Sequence, residues 1–253
     1  MITLSYTLAG ALTGLLVGMT GVGAGAMMTP VLLLVFGVAP ATAIATDLWF
    51  SAITKIVGAG IHHAGGQVDW PIVKKLWLGS LPVALGVALL VSLGGLHQQV
   101  SWLNKAIGVV VILTALGLFV APRIQALAGR HGQSERSSYW TVLCGAFMGL
   151  CVALTSAGAG TLGSVALLAL FPRRMTPHRL VATDLAHAIP LTLLAGLGYL
   201  FLRAVDWPML LSLLLGSIPA IVLGSLLAQR LPGRALQLLL ALVLISAGVK
   251  LVG

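Results

Sequence analysis

Apolar positions dominate the chain in ten runs, separated by short polar, glycine-bearing or proline-bearing interruptions. In the first half these runs are Leu4 to Met19, Ala26 to Gly37, Ala41 to His62, Pro71 to Leu93 and Lys105 to Val120. In the second half they are Trp140 to Thr155, Leu162 to Phe171, His178 to Leu202, Trp207 to Gln229 and Arg234 to Val252. Most approach the roughly 20 apolar residues that carry a helix across a bilayer, but the second run of each half has only about half that number. Each short run follows a glycine cluster, Gly21, Gly23 and Gly25 in one half and Gly158 and Gly160 in the other. Glycine favours a turning backbone over continuous helix. Each short run is therefore expected to be a half-helix behind a break.

The interruptions themselves recur. Ala45-Thr46-Asp47-Leu48, Val68-Asp69-Trp70-Pro71 and Gly79-Ser80-Leu81-Pro82 return 137 residues later as Ala182-Thr183-Asp184-Leu185, Val205-Asp206-Trp207-Pro208 and Gly216-Ser217-Ile218-Pro219. Self-similarity at a fixed offset marks an internal duplication. The expected organisation is one transmembrane domain over residues 1–253, with repeat 1 at 1–121, a polar linker at 122–138 and repeat 2 at 139–253.

Composition fixes the class. Of 253 residues 59% are hydrophobic and 8% charged, against about 25% charged in soluble domains. Up to Thr54 the only charged side chain is Asp47, and no soluble core absorbs such a run. The expected fold is an all-α integral membrane protein built from two repeats of about five hydrophobic segments. The 14 Lys and Arg residues outnumber the 5 Asp and Glu. They stand singly or in pairs between apolar runs, which points to loops at a membrane surface and not to nucleic acid. Met1 to Leu8 lacks a basic leader, so no signal peptide is expected. No motif for a metal or a cofactor is present.

Loop charges discriminate between two topologies. If the first two runs of each half form one broken span, the two sides of the membrane carry 7 and 6 basic residues. If they form a pair that returns to its starting side, Lys74, Lys75, Arg123, Arg130, Arg136, Arg173, Arg174, Arg179, Arg230 and Arg234 share one face. Lys105, Arg203 and Lys250 lie opposite. The positive-inside rule selects the second arrangement. It makes the repeats inverted, puts the 122–138 linker in the cytoplasm and leaves both termini outside it, in a bacterial-type inner (plasma) membrane.

Inverted repeats with glycine-interrupted helices point to a transport site near the bilayer midplane. The amides that open the second run, with Thr29 beside them, would turn positive dipole ends toward an anion. Ser156, Gly158, Gly160 and Thr161 supply the matching stretch in the other half. The same small residues would also serve close helix packing in lipid. Asp47, Lys55 and Asp184 fall inside the third and eighth runs, where a charge costs on the order of a few kcal/mol or more and needs a partner or water. Asp47, Ser51 and Lys55 are spaced by four along one stripe, with His62 on roughly the same side, and Asp184 and His187 are three apart. Both stripes would face a polar interior. Burial favours a neutral carboxyl, which makes Asp47 and Asp184 candidate proton carriers; the plainer reading is that they support helix ends or pair with Lys55. Thr46 and Thr183, beside the two acids, complete the candidate substrate-binding set. Asp69 and Asp206 read as N-caps, each followed by an interfacial tryptophan and a first-turn proline.

A glycine break, a short apolar helix, a proline, a helix opening with Ala-Thr-x-Leu, and His62 or His63 ahead of Gly66-x-Val68-Asp69-Trp70 precede a Gly- and Pro-bearing helix, and most of this recurs in the second half. This pattern resembles the sulfite exporter TauE/SafE family of membrane permeases over nearly the whole chain. The resemblance implies a transporter of small anions, with sulfite, thiosulfate and organosulfonates as the usual class. Family members usually carry serine where this chain has Asp47 and Asp184, and two acids near an anion site would repel a divalent anion unless protonated or paired. Protons are thus the candidate coupling ion. An anion channel is the alternative. An intramembrane enzyme is a remoter one, because no Gly-x-Gly-Asp or His-Glu-x-x-His occurs and Ser156 has no evident His partner.

Overall fold

A computed structural model of the chain describes residues 3–20, 27–62, 68–93, 100–128, 138–158, 160–171, 174–227 and 233–252. The described residues form ten helices: α1 (Leu4–Thr20), α2 (Met28–Leu34), α3 (Pro40–His62), α4 (Trp70–Ser92), α5 (Val100–Ala128), α6 (Ser138–Thr155), α7 (Thr161–Leu170), α8 (Pro177–Phe201), α9 (Trp207–Leu227) and α10 (Gly233–Val252). The apolar runs foretell these elements closely. Segments α2 and α7 are 7 and 10 residues long, too short to span. The largest departure is α5, which continues beyond the apolar run at both ends and takes in residues 122–128 of the expected linker. Its extension, Arg123-Ile124-Gln125-Ala126-Leu127-Ala128, consists of good helix formers that need no lipid to stay helical.

The two halves interlock rather than sit side by side. Helix α1 packs along α9, and α4 packs along α6; α3 lies on α8, α5 on α10, and α4 on α8. Each of these contacts joins one half to the other. The packing depends on small residues, as expected where lipid supplies no hydrophobic drive between helices. A methyl group on Gly79 would lie 2.7 Å from the Ala146 nitrogen of α6, and one on Gly216 would lie 2.8 Å from the Ala11 nitrogen of α1. Gly79 and Gly216, read from sequence as bends shared with Pro82 and Pro219, are points of backbone contact.

The same contacts show how the repeats register. Gly10 and Gly14 of α1 meet Leu213 and Ser217, while Gly145 and Gly149 of α6 meet Leu76 and Ser80. The glycines are 135 positions apart and their targets 137. The chain from Gly149 to Gly158 is therefore two residues longer than that from Gly14 to Gly21. Helices α5 and α10 run antiparallel: Gly108 of α5 faces Gly248 and Val252 of α10, while Ile112 reaches back to Gly248.

Leucines at 4, 8 and 12 on α1, and at 78, 85 and 89 on α4, are exposed on the outside of the bundle. The exposed aromatics Trp70, Trp102, Tyr139, Trp140 and Trp207 stand at helix beginnings, the placement of an interfacial belt. The four helices Trp70–Ser92, Ser138–Thr155, Arg179–Phe201 and Trp207–Gly224 are long and apolar enough to cross a membrane.

Candidate functional site

The interior of this apolar bundle is polar along α3 and α8. Thr46, Asp47, Ser51, Thr54 and Lys55 of α3 are buried, as are Thr183, Asp184, His187 and Thr192 of α8. The four-residue spacing that placed Asp47, Ser51 and Lys55 on one stripe thus faces them inward. The side chain of His62 and all of Gly21, Gly23 and Gly25 lie outside the described residues.

Asp47 is held by a converging set of donors. The Thr29 backbone N–H donates to its Oδ2 at 3.1 Å and the Thr29 hydroxyl at 2.6 Å. The Ser156 hydroxyl donates to the same oxygen. Ser51, one turn along α3, donates to Oδ1 at 3.2 Å. Ser156 reaches Asp47 because α6 ends at Thr155 and the backbone turns there, with φ of 57° at Ser156 and 99° at Gly158. Left-handed φ is uncommon for a residue with a Cβ. Gly160 then precedes α7 as its N-cap, with Thr161 as the first helical residue.

The amide of Thr29, expected to face an anionic ligand, thus already faces an anion that belongs to the protein. Of the predicted substrate-binding residues, Thr29 and Ser156 meet at Asp47, and Gly158, Gly160 and Thr161 shape the break behind them. Thr46 and Thr183 do something else. The Asp206 N–H donates to the Thr46 hydroxyl at 3.3 Å, and the Asp69 N–H donates to the Thr183 hydroxyl at 3.2 Å. Each threonine therefore anchors the start of a helix from the other repeat.

Asp184 has a different setting. Its Oδ1 is buried without a hydrogen-bond partner, packed so closely against Gly163 of α7 that a side chain there would overlap the carboxylate. Lys55 interacts electrostatically with both Asp184 and Asp47. One turn on, His187 shares a 2.9 Å hydrogen bond between Nε2 and the Ser80 hydroxyl of α4, and its Nδ1 is buried without a partner. The Trp77 indole N–H donates to the His187 carbonyl at 3.3 Å. This lies beside Pro190, which lacks the amide that would close the helix onto Ala186.

Sequence reading missed two partners. Ser80 was visible only as part of the repeated Gly-Ser-x-Pro, although a polar residue repeated inside two apolar helices was the available signal. Arg174, read as a topology marker, pairs with Asp69 at 3.9 Å. Asp69 makes no side-chain capping bond, whereas Asp206 Oδ1 does cap α9, accepting from the Met209 N–H at 3.0 Å. A cavity of about 350 Å³ between α2 and α10 is lined by Met27, Val31, Leu34, Val243 and Lys250; it is mainly apolar and does not include the ionisable centre.

Known proteins are similar to this chain in sequence. The probable membrane transporter protein YjnA of Bacillus subtilis is 36% identical over 256 residues, spanning 99% of this chain and 100% of the relative. A probable membrane transporter protein of Xylella fastidiosa is 27% identical over 224 residues, covering 88% of this chain and 83% of that one. No solved structure matches the chain. The family model described as sulfite exporter TauE/SafE matches residues 6–251. With that match over nearly its full length, and a polar core inside an apolar helical bundle, the chain belongs to the sulfite exporter TauE/SafE family of multi-pass membrane transporters.

Proposed function

We propose that this protein is a secondary transporter of small anions, of the sulfur-containing class such as sulfite, thiosulfate or organosulfonates, and that protons move with the substrate through Asp47 and Asp184. The observation that carries this reading is the buried centre: two carboxylates and a lysine lie within a bundle whose outside is apolar. Intramembrane ionisable groups are costly and mark substrate or proton paths. Lys55 supplies the cation that an anionic substrate needs, and two carboxylates next to it offer protonatable counter-ions. A saturable site that alternates its access between the two sides completes the proposal.

We place the repeats in inverted orientation with the 122–138 linker in the cytoplasm, both termini outside it, and the bundle in the inner membrane. Three features support the inverted orientation of the repeats. The repeat mates α5 and α10 are antiparallel, as an axis in the membrane plane requires. Asp69, ahead of α4, meets Arg174, ahead of α8. A broken-span topology would put those two loops on opposite faces. The hydrogen bond from the Asp69 N–H to Thr183 joins the same two helix ends, and that from the Asp206 N–H to Thr46 joins the starts of α3 and α9.

Purified protein in liposomes should move at least one of sulfite, thiosulfate, an organosulfonate or a carboxylate with saturable kinetics, faster with a pH gradient than without. Flux of none of these anions would overturn the reading. Linear, gradient-independent flux would make the protein a channel.

A further inference from the structure

Three donors converge on a single carboxylate oxygen in this protein. The Thr29 N–H, the Thr29 hydroxyl and the Ser156 hydroxyl all point to Asp47 Oδ2, while Ser51 alone holds Oδ1. Three hydrogen bonds to one buried oxygen are the donor set of an oxyanion site, where charge-assisted bonds are roughly twice as strong as neutral ones. The fold does not impose the set: in the other repeat Ala166 stands at the position of Thr29, and Asp184 Oδ1 has no partner. Ser156 joins through its left-handed backbone directly after α6, a conformation that persists when its surroundings hold it there.

We propose that Thr29 and Ser156 form a subsite for one oxygen of a small oxyanion, and that Asp47 occupies it as a built-in competitor. This rests on the anion-transport reading and gives the coupling a physical form. An ionised Asp47 keeps the donors to itself. Once it takes up a proton its attraction for them weakens, and a substrate oxygen takes its place, so one anion enters with one proton. The hydroxyls of Thr29 and Ser156 are 2.9 Å apart, close enough to bond each other when neither carboxylate nor ligand claims both protons. Among the ionisable groups, Lys55 of α3 interacts electrostatically with Asp47 and with Asp184 of α8, whereas His187 of α8 bonds Ser80 of α4. Helices α2 and α9 carry none, and Lys105 of α5 is exposed.

Formate is a suitable probe, since it is ionised across the working pH range and offers a carboxylate without a side chain. In detergent, formate should raise the melting temperature of Asp47→Ala saturably and with much less dependence on pH than in the unaltered protein, and adding Thr29→Val should remove the effect. Unaltered protein should bind formate at least tenfold more weakly at pH 8 than at pH 5, and Thr29→Val should weaken the pH 5 binding. A monodisperse Asp47→Ala that formate does not stabilise would overturn the proposal. So would formate binding to unaltered protein that is independent of pH, which decides the matter even if the alanine variant fails to fold. Binding in detergent needs no flux. A protein that binds as described yet moves no anion in liposomes would remove the transport reading and leave the subsite standing.

Discussion

Asp47 and Asp184 occupy the same position in two copies of one motif, yet they live in opposite conditions. Around Asp47 the donors are complete: two hydroxyls, one amide and a third hydroxyl on its own helix. At Asp184 one oxygen, Oδ1, has no donor, and the neighbours are Lys55 and the surface of Gly163. The positions around them diverged in step. Lys55 stands opposite Thr192 in the repeat, Ser51 opposite Ala188, and His187 opposite Phe50. Ser80 finds His187, whereas Ser217, its mate, is buried without a partner. Duplication supplied the scaffold twice, and side-chain changes turned one copy into a saturated carboxylate and the other into an unsatisfied one. The packing points stayed alike. Gly79 and Gly216, and Thr46 and Thr183, still make matching contacts in both halves.

Substitutions at the divergent positions should therefore act in one half only, and those at the matched positions should act alike. The largest effect is expected at Lys55. Lys55→Met leaves two buried carboxylates without their cation, a loss of about 3–5 kcal/mol for a broken buried pair, and should abolish saturable anion flux in liposomes. Its mate change, Thr192→Val, should leave flux within a few-fold of the unaltered protein. Next come Gly79→Leu and Gly216→Leu, which force a side chain into a backbone contact. Each should destabilise the bundle by about 1–3 kcal/mol or more, by similar amounts in both halves, read as the midpoint of thermal unfolding in detergent.

Smaller effects sharpen the contrast. Ser80→Ala removes the partner of His187 and should cost about 1–2 kcal/mol. Ser217→Ala removes a hydroxyl that bonds nothing and should be neutral or mildly stabilising. Equal losses at the two serines would show that the halves have not diverged as described. Smallest, Thr46→Ala and Thr183→Ala should each cost about 1 kcal/mol, with the same sign and size.

Most of the fold was legible in the sequence because lipid imposes one rule on every segment: an apolar run must satisfy its own backbone. The runs gave the helices, and the glycine clusters gave the two short ones. The helical extension of α5 was hidden, since residues 122–128 carry no continuous apolar run and open with Pro122, which reads as a helix break. The site was half legible. Inward stripes of Asp47, Ser51 and Lys55, and of Asp184 and His187, follow from helical spacing. That Ser156 closes on Asp47 does not, because it depends on a left-handed turn directly after α6, which spacing does not encode. Thr46 and Thr183 were read beside the acids for the same reason. Their sequence neighbours are the acids, but their spatial neighbours are amides of the opposite repeat.

The most direct test is proton movement measured together with anion flux. Liposomes loaded with a pH-sensitive dye and challenged with a sulfite gradient should show proton movement in the same direction as the anion. That movement should be lost in Asp47→Asn and in Asp184→Asn. Sulfite flux that proceeds with no proton movement, or proton movement that both substitutions leave intact, would contradict transport through this pair of carboxylates.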